Sequence, residues 1–202
     1  MTEYTCDSSG CGMRATTHFV QAEKRKVAQT RHLCREHGRA LLLDYQRSSK
    51  PPMADTPHKD EGGVCFDVDF VFFDNVPDQY QYPCQLNLVE VGGTRQLGLG
   101  TGPYEGAALR LELQRYQSPR PRTHQAMAAA ISALSGRLRH VMIDKFFPSQ
   151  QTYEAKLHID QGNANMVVDV RPSDAIILAV ICDVPILVSK EVLATLAAER
   201  KQ

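Results

Sequence analysis

Four residues with soft donor atoms sit in two close pairs near the N-terminus. Cys6 and Cys11 have four residues between them, Cys34 and His37 have two, and 22 residues separate the pairs. Thiolate and imidazole are the ligands that borderline-soft Zn²⁺ takes, and four of them complete a tetrahedron with no place left for water or substrate. The spacing predicts a structural zinc site formed by Cys6, Cys11, Cys34 and His37, with His18 and His32 as residues that could substitute for one of the four. Three reduced cysteines and a surface histidine are the plain alternative.

Ionisable residues gather at two further places, Arg120-Pro121-Arg122-Thr123-His124 and Asp169-Val170-Arg171-Pro172-Ser173-Asp174. Each precedes a stretch that reads as a helix. The unpaired N–H groups and positive dipole of a helix start attract anions, so Arg120, Arg122, Arg171 and Ser173 form a candidate phosphate seat. His124 could shuttle a proton, and Asp169, Asp174 and Glu105 could orient water or hold Mg²⁺ or Mn²⁺ through their oxygens. Structural roles account for the same residue types. Ser173 and Asp174 could cap a helix, Arg171 could pair with Asp169 or Asp174, and Glu105 could complement the dipole of its own helix.

The elements that would carry these groups can be read from periodicity and turn signals. Between the two ligand pairs, Ala15–Ala22 and Val27–His32 look like strands across the basic turn Glu23-Lys24-Arg25-Lys26, which could touch phosphate, and His37 opens a helix over 38–45. A cysteine knuckle, a hairpin and a ligand-bearing helix resemble a treble-clef zinc finger. Residues 1–47 are thus a predicted zinc module, 48–63 a linker rich in proline and glycine, and 64–202 an α+β body. In the body, strands are predicted at 64–73, 85–91, 96–99, 140–147, 152–159, 165–170 and 186–188, with Gly92-Gly93 turning a hairpin. Helices are predicted at 104–114, at 123–138, after Pro172, and from an N-cap at Ser189 to residue 200. Ala175 to Ile181 is apolar around its whole circumference, so that helix is expected to be buried. The strands come in antiparallel runs with helices between them, which predicts an α+β fold with a mixed, largely antiparallel sheet around a buried helix.

Length and composition bound the rest. The 202 residues are 43% hydrophobic and 23% charged, enough for one ordinary domain with a small appendage and incompatible with wholesale disorder. No apolar run reaches the length of a membrane helix, and the first residues lack a basic segment followed by an apolar one, which predicts a cytoplasmic protein with no membrane partner. Charges balance at 23 against 23 but are unevenly placed: residues 1–50 carry nine basic and five acidic side chains, 64–100 one and five, 110–145 seven and two. A polyanion could bind the basic segments, although local excesses of this size also suit ordinary solvated faces.

The body resembles the bifunctional nuclease (BFN) domain family over about residues 66–196. The residues that carry the resemblance are Arg120-Pro121 with Thr123-His124, Asp169 with Arg171-Pro172-Ser173-Asp174-Ala175-Ile176, then Pro185-Ile186 and Val188-Ser189, with Gly98-Leu99-Gly100 and Glu105 at a strand-to-helix junction. The resemblance implies an α+β domain that self-associates as a homo-oligomer such as a dimer, and nuclease activity on DNA and RNA. The sequence departs from the family pattern at Gln125, where an aspartate usually follows the histidine. Two functions compete: a nuclease assisted by a divalent cation, with His124, Asp169, Asp174 and Glu105 as catalytic residues, and a non-catalytic module that binds nucleic acid or protein.

Overall fold

The computed structural model describes residues 4–47, 62–74 and 84–199, so the linker predicted at 48–63 lies almost wholly outside the described residues. The chain is α+β, with helices on a mostly antiparallel sheet, and it divides into two compact units. One gathers residues 1–54 with 68–115, the other residues 55–67 with 116–202. This grouping by contact cuts the chain at different places from the linker.

In the first unit, strands β1 (Thr17–Glu23) and β2 (Lys26–Leu33) form an antiparallel hairpin, followed by helix α1 (Arg35–Arg47). Lys24 and Arg25 take positive φ to make the tight turn between them. Strand β3 (Gly63–Asp74) contributes its second half here, and β1 pairs with it antiparallel from Thr17↔Asp74 to Gln21↔Phe70. The hairpin at the N-terminus is therefore a working part of this unit's sheet. Strand β4 (Cys84–Glu90) also pairs with β3, and β5 (Gln96–Thr101) pairs with β4. The predicted Gly92-Gly93 turn lies between β4 and β5, with Gly92 at φ 74°, and a two-pronged Arg95–Glu90 bond clamps the hairpin. Those two bonds outweigh the burial that would raise it, holding the Glu90 carboxyl below the usual range. Helix α2 (Pro103–Leu113) buries Leu109 and Leu113.

In the second unit, helix α3 (Thr123–Ala133) leads into strands β6 (Gly136–Phe147), β7 (Thr152–Gln161) and β8 (Ala164–Val170), then helix α4 (Pro172–Cys182), strand β9 (Ile186–Ser189) and helix α5 (Lys190–Glu199). β6, β7 and β8 are joined antiparallel, β9 runs parallel to β6, and the first residues of β3 pair antiparallel with β9. Ala175 to Ala179 of α4 are all buried, as an apolar circumference requires. Asp183 ends α4 in the left-handed conformation. Ser189 caps α5, its Oγ accepting from Val192 N–H at 3.1 Å and donating to the Asp144 carbonyl at 2.8 Å.

The structure shortens the helix predicted over 123–138. α3 stops at Ala133, Ser135 turns the chain with φ 61°, and β6 has begun by Gly136. Leu138 satisfies the helical period but is a buried strand residue. Gly136 permits the close reversal, because an added Cβ would lie 3.0 Å from the Ile131 carbonyl oxygen.

Candidate functional site

The N-terminal donors converge. Cys6 and Cys34 are buried, on either side of the hairpin, and His37 lies in the first turn of α1. Cys6 Sγ is 3.4 Å and Cys34 Sγ 3.3 Å from His37 Nδ1, and Cys11 Sγ is 3.9 Å from Cys34 Sγ. All four donor atoms fall within 4.8 Å of one another. Bond lengths of about 2.3 Å to sulfur and 2.0–2.1 Å to nitrogen put tetrahedral ligands roughly 3.5–3.8 Å apart, so the cluster fits a metal ion such as zinc. Burial alone would raise the Cys6 thiol, but hydrogen bonds from the Cys34 and Ser8 backbone, the Ser8 side chain and His37 outweigh it and bring Cys6 down to about 6. That favours the thiolate a metal needs. His18 and His32, the possible substitutes, bond each other, Nδ1 to Nδ1 at 2.8 Å, and Tyr4 stacks on His32.

In the second unit, two helix starts are brought together. His124 is the second residue of α3 and Asp174 the third of α4, and His124 Nε2 lies 2.9 Å from Asp174 Oδ1 across 50 residues of chain. Both side chains are mostly enclosed, 14% and 18% exposed. Arg171, just before α4, grips the same carboxylate through Nε at 2.7 Å and Nη2 at 3.1 Å. Burial alone would raise the Asp174 carboxyl, yet the bonds from Arg171 and His124 prevail and hold it below the usual carboxylate range. An ionised carboxylate only accepts, so Nε2 is the ring nitrogen that donates in this contact.

The other candidates are placed as follows. Arg122 donates to the Tyr116 carbonyl at 3.2 Å and lies over the Tyr116 ring, 5.9 Å from its centroid, a neighbour that periodicity gives no means of finding. Arg120 is exposed, and Ser173 is half-buried in the first turn of α4. Asp169 is exposed on β8, opposite Lys156 of β7. Glu105 belongs to the first unit, where its carboxylate folds back over the start of α2: a Cβ added at Gly102 would meet Glu105 Oε2 at 2.3 Å.

Gln125 also has a visible role. Its Oε1 accepts the Arg122 N–H at 3.1 Å, the return bond of a capping box at the start of α3. The spacing Arg122-x-x-Gln125 carries that signal, but an arginine at the N-cap masks it.

The bifunctional nuclease domain matches residues 86–201. The chain belongs to the bifunctional nuclease domain family. It is also 38% identical, over 117 residues, to uncharacterized proteins of two Mycobacterium tuberculosis strains, an alignment that covers 58% of this chain and 68% of each relative. The bifunctional nuclease match contains Glu105, His124, Asp169 and Asp174, whereas the cysteine cluster precedes it. The family points to nuclease-type interaction with nucleic acid. Among the described residues, no helix is long and apolar enough to cross a membrane.

Proposed function

We propose that this protein hydrolyses phosphodiester bonds in DNA, RNA or both, with Mg²⁺ or Mn²⁺, and that His124 is its acid–base group. The observation that carries this reading is the His124–Asp174 pair at two adjoining helix starts. Asp174 acts as a positioning residue, since its two oxygens are engaged by His124 and Arg171. His124 Nδ1 takes a proton from the attacking water or returns one to the leaving oxygen. Arg171, 67% exposed, would lend its positive charge to a phosphate beside the α4 start and Ser173, and Arg120 and Arg122, just before α3, would add theirs. A bound divalent cation would neutralise phosphate charge, and Asp169 offers the oxygen chemistry it prefers.

The test is cleavage of labelled DNA and RNA oligonucleotides by purified protein in Mg²⁺ and in Mn²⁺. His124→Ala is expected to lower kcat by about 10²–10⁴-fold, and Asp174→Asn to lower it while leaving the fold intact. Cleavage that persists unchanged in both variants would belong to a contaminant and would overturn the assignment.

The second reading, a non-catalytic binding module, is favoured by the exposed Lys24 and Lys26 at the β1–β2 turn. Tight, salt-sensitive binding without turnover would establish it.

The cysteine cluster is read as a structural zinc site. Around the ligands the buried cluster comprises Cys6, Leu33 and Cys34, with Cys11 and Leu41 packed on it. Burying a leucine contributes roughly 1.5–3 kcal/mol, against an apparent ~10–16 kcal/mol for a structural zinc. Metal binding would therefore supply most of the stabilisation around the ligands, while pairing with β3 supports the hairpin. One zinc per chain is the expected stoichiometry.

A further inference from the structure

His18 and His32 face each other across the β1–β2 hairpin, and both are half-buried. The backbone of His32 turns away from β1: its N–H donates to Asp7 Oδ2 at 2.6 Å, and its carbonyl accepts from the Asp7 N–H at 2.7 Å. The two histidines are therefore a cross-strand pair with no ladder bonds between them. Such pairs have the closest Cα atoms, about 4.5 Å apart, and side chains that share one face. The rings use that closeness. His18 Nδ1 lies 2.8 Å from His32 Nδ1, and the ring planes meet at 78°. Tyr4 lies flat on His32, 3° from parallel with 3.8 Å between ring centres, and meets His18 edge-on. Asp7 thus pins the backbone of His32, and Tyr4 its ring.

We propose that His18 and His32 form a second metal site, distinct from the cysteine cluster, which takes a divalent first-row transition ion with an affinity for imidazole. The four donors of the cluster complete a tetrahedron among themselves, so neither histidine is needed there. Within the pair one Nδ1 donates and the other accepts, which leaves a single proton between two lone pairs. A metal ion in that place engages both. The proton departs from the donating Nδ1, that ring carries a proton on Nε2 instead, and each Nδ1 gives its lone pair to the ion.

The spacing suits this exchange. Bonds of about 2.0 Å meeting at about 90–109° put the two nitrogens roughly 2.8–3.3 Å apart and the ring centres roughly 4.5–5.1 Å apart. The pair has its nitrogens 2.8 Å and its ring centres 5.0 Å apart, so a small turn of the His18 ring aims both lone pairs at one point while His32 stays clamped. Two protein donors leave the other positions of the ion to water, which makes the site exchangeable where the cysteine cluster is closed. Mg²⁺ and Ca²⁺, which require oxygen, should pass it by. A bound ion would tie β1 to β2 beside the Thr17↔Leu33 pair, and Leu33 packs with the buried cysteines. The inference stands on these three rings and Asp7 and does not depend on the catalytic reading.

The probe is Ni²⁺ alone, because copper also seeks thiolates. Zinc-loaded, tag-free full-length protein titrated with Ni²⁺ in a calorimeter should take up one equivalent without releasing zinc. His18→Ala and His32→Ala should each weaken that uptake at least ~10-fold, and the double variant should bind about as weakly as either, because a chelate is lost with its first arm. A second measurement requires no variant. Paramagnetic Ni²⁺ broadens the NMR signals of nuclei beside it, so in the unaltered chain the ring signals of His18 and His32 should fade ahead of those of His124 and His158. No uptake by the native chain, uptake indifferent to both substitutions, broadening centred on another histidine, or nickel that enters only as zinc leaves would each overturn the proposal.

Discussion

Asp174 accepts hydrogen bonds from donors that belong to different helix starts, and its acidity records them. The folded-state pKa is depressed, so the carboxylate's contribution to stability is complete above the ordinary value near 4 and is lost as pH falls through the lowered folded value. Denaturant titrations from pH 7 to pH 2 should show Asp174→Asn less stable than the native chain at neutral pH, with the gap closing on acidification. A constant gap would mean that Arg171 and His124 do not stabilise the charged form. The four sulfur and nitrogen ligands are legible from the sequence because their spacing is local within each pair. The His124–Asp174 contact is not, since 50 residues and three strands must fold before the two helix starts meet. Sequence does narrow the choice of partner: Arg171 has Asp169 and Asp174 on either side, and the structure pairs it with Asp174.

Helix ends decide where several elements start and stop. Ser189 both caps α5 and ties it to the Asp144 carbonyl on β6, so Ser189→Ala should cost about 1–2 kcal/mol in chemical denaturation, at the upper end for a lost cap. Gln125→Ala removes the return bond to Arg122 and should destabilise by up to about 1 kcal/mol, while Gln125→Glu should keep most of that stability. An equal loss in both variants would show that the capping bond is not what Gln125 provides. The buried α4 and the β4–β5 hairpin follow directly from an apolar circumference and a Gly-Gly turn. The end of α3 does not, because Leu138 fits both a helical period and a strand, and the reversal at Ser135 depends on tertiary context. The exposure of β8 is equally hidden: Met166-Val167-Val168 reads as core until β8 is known to be the last strand of its row among the described residues.

For the molecule as a whole, removing metal should have a bounded footprint. A strong chelator should release one equivalent of zinc and speed amide exchange in residues 17–33 and in the paired part of β3, while β7 and α4 stay protected. Uniform loss of protection would indicate that the cysteine cluster governs the entire fold. The α+β class and the mixed sheet follow from the order of periodic segments, but that order cannot tell which strands become neighbours. β1 is the case in point: the sequence places it in the predicted zinc module, and the register pairs it with β3. Trimming the chain at the predicted linker would therefore do more than discard an appendage. A fragment beginning at residue 62 would leave the β1-facing flank of β3 bare, an open strand edge that invites clumping and would colour any assay made on the fragment.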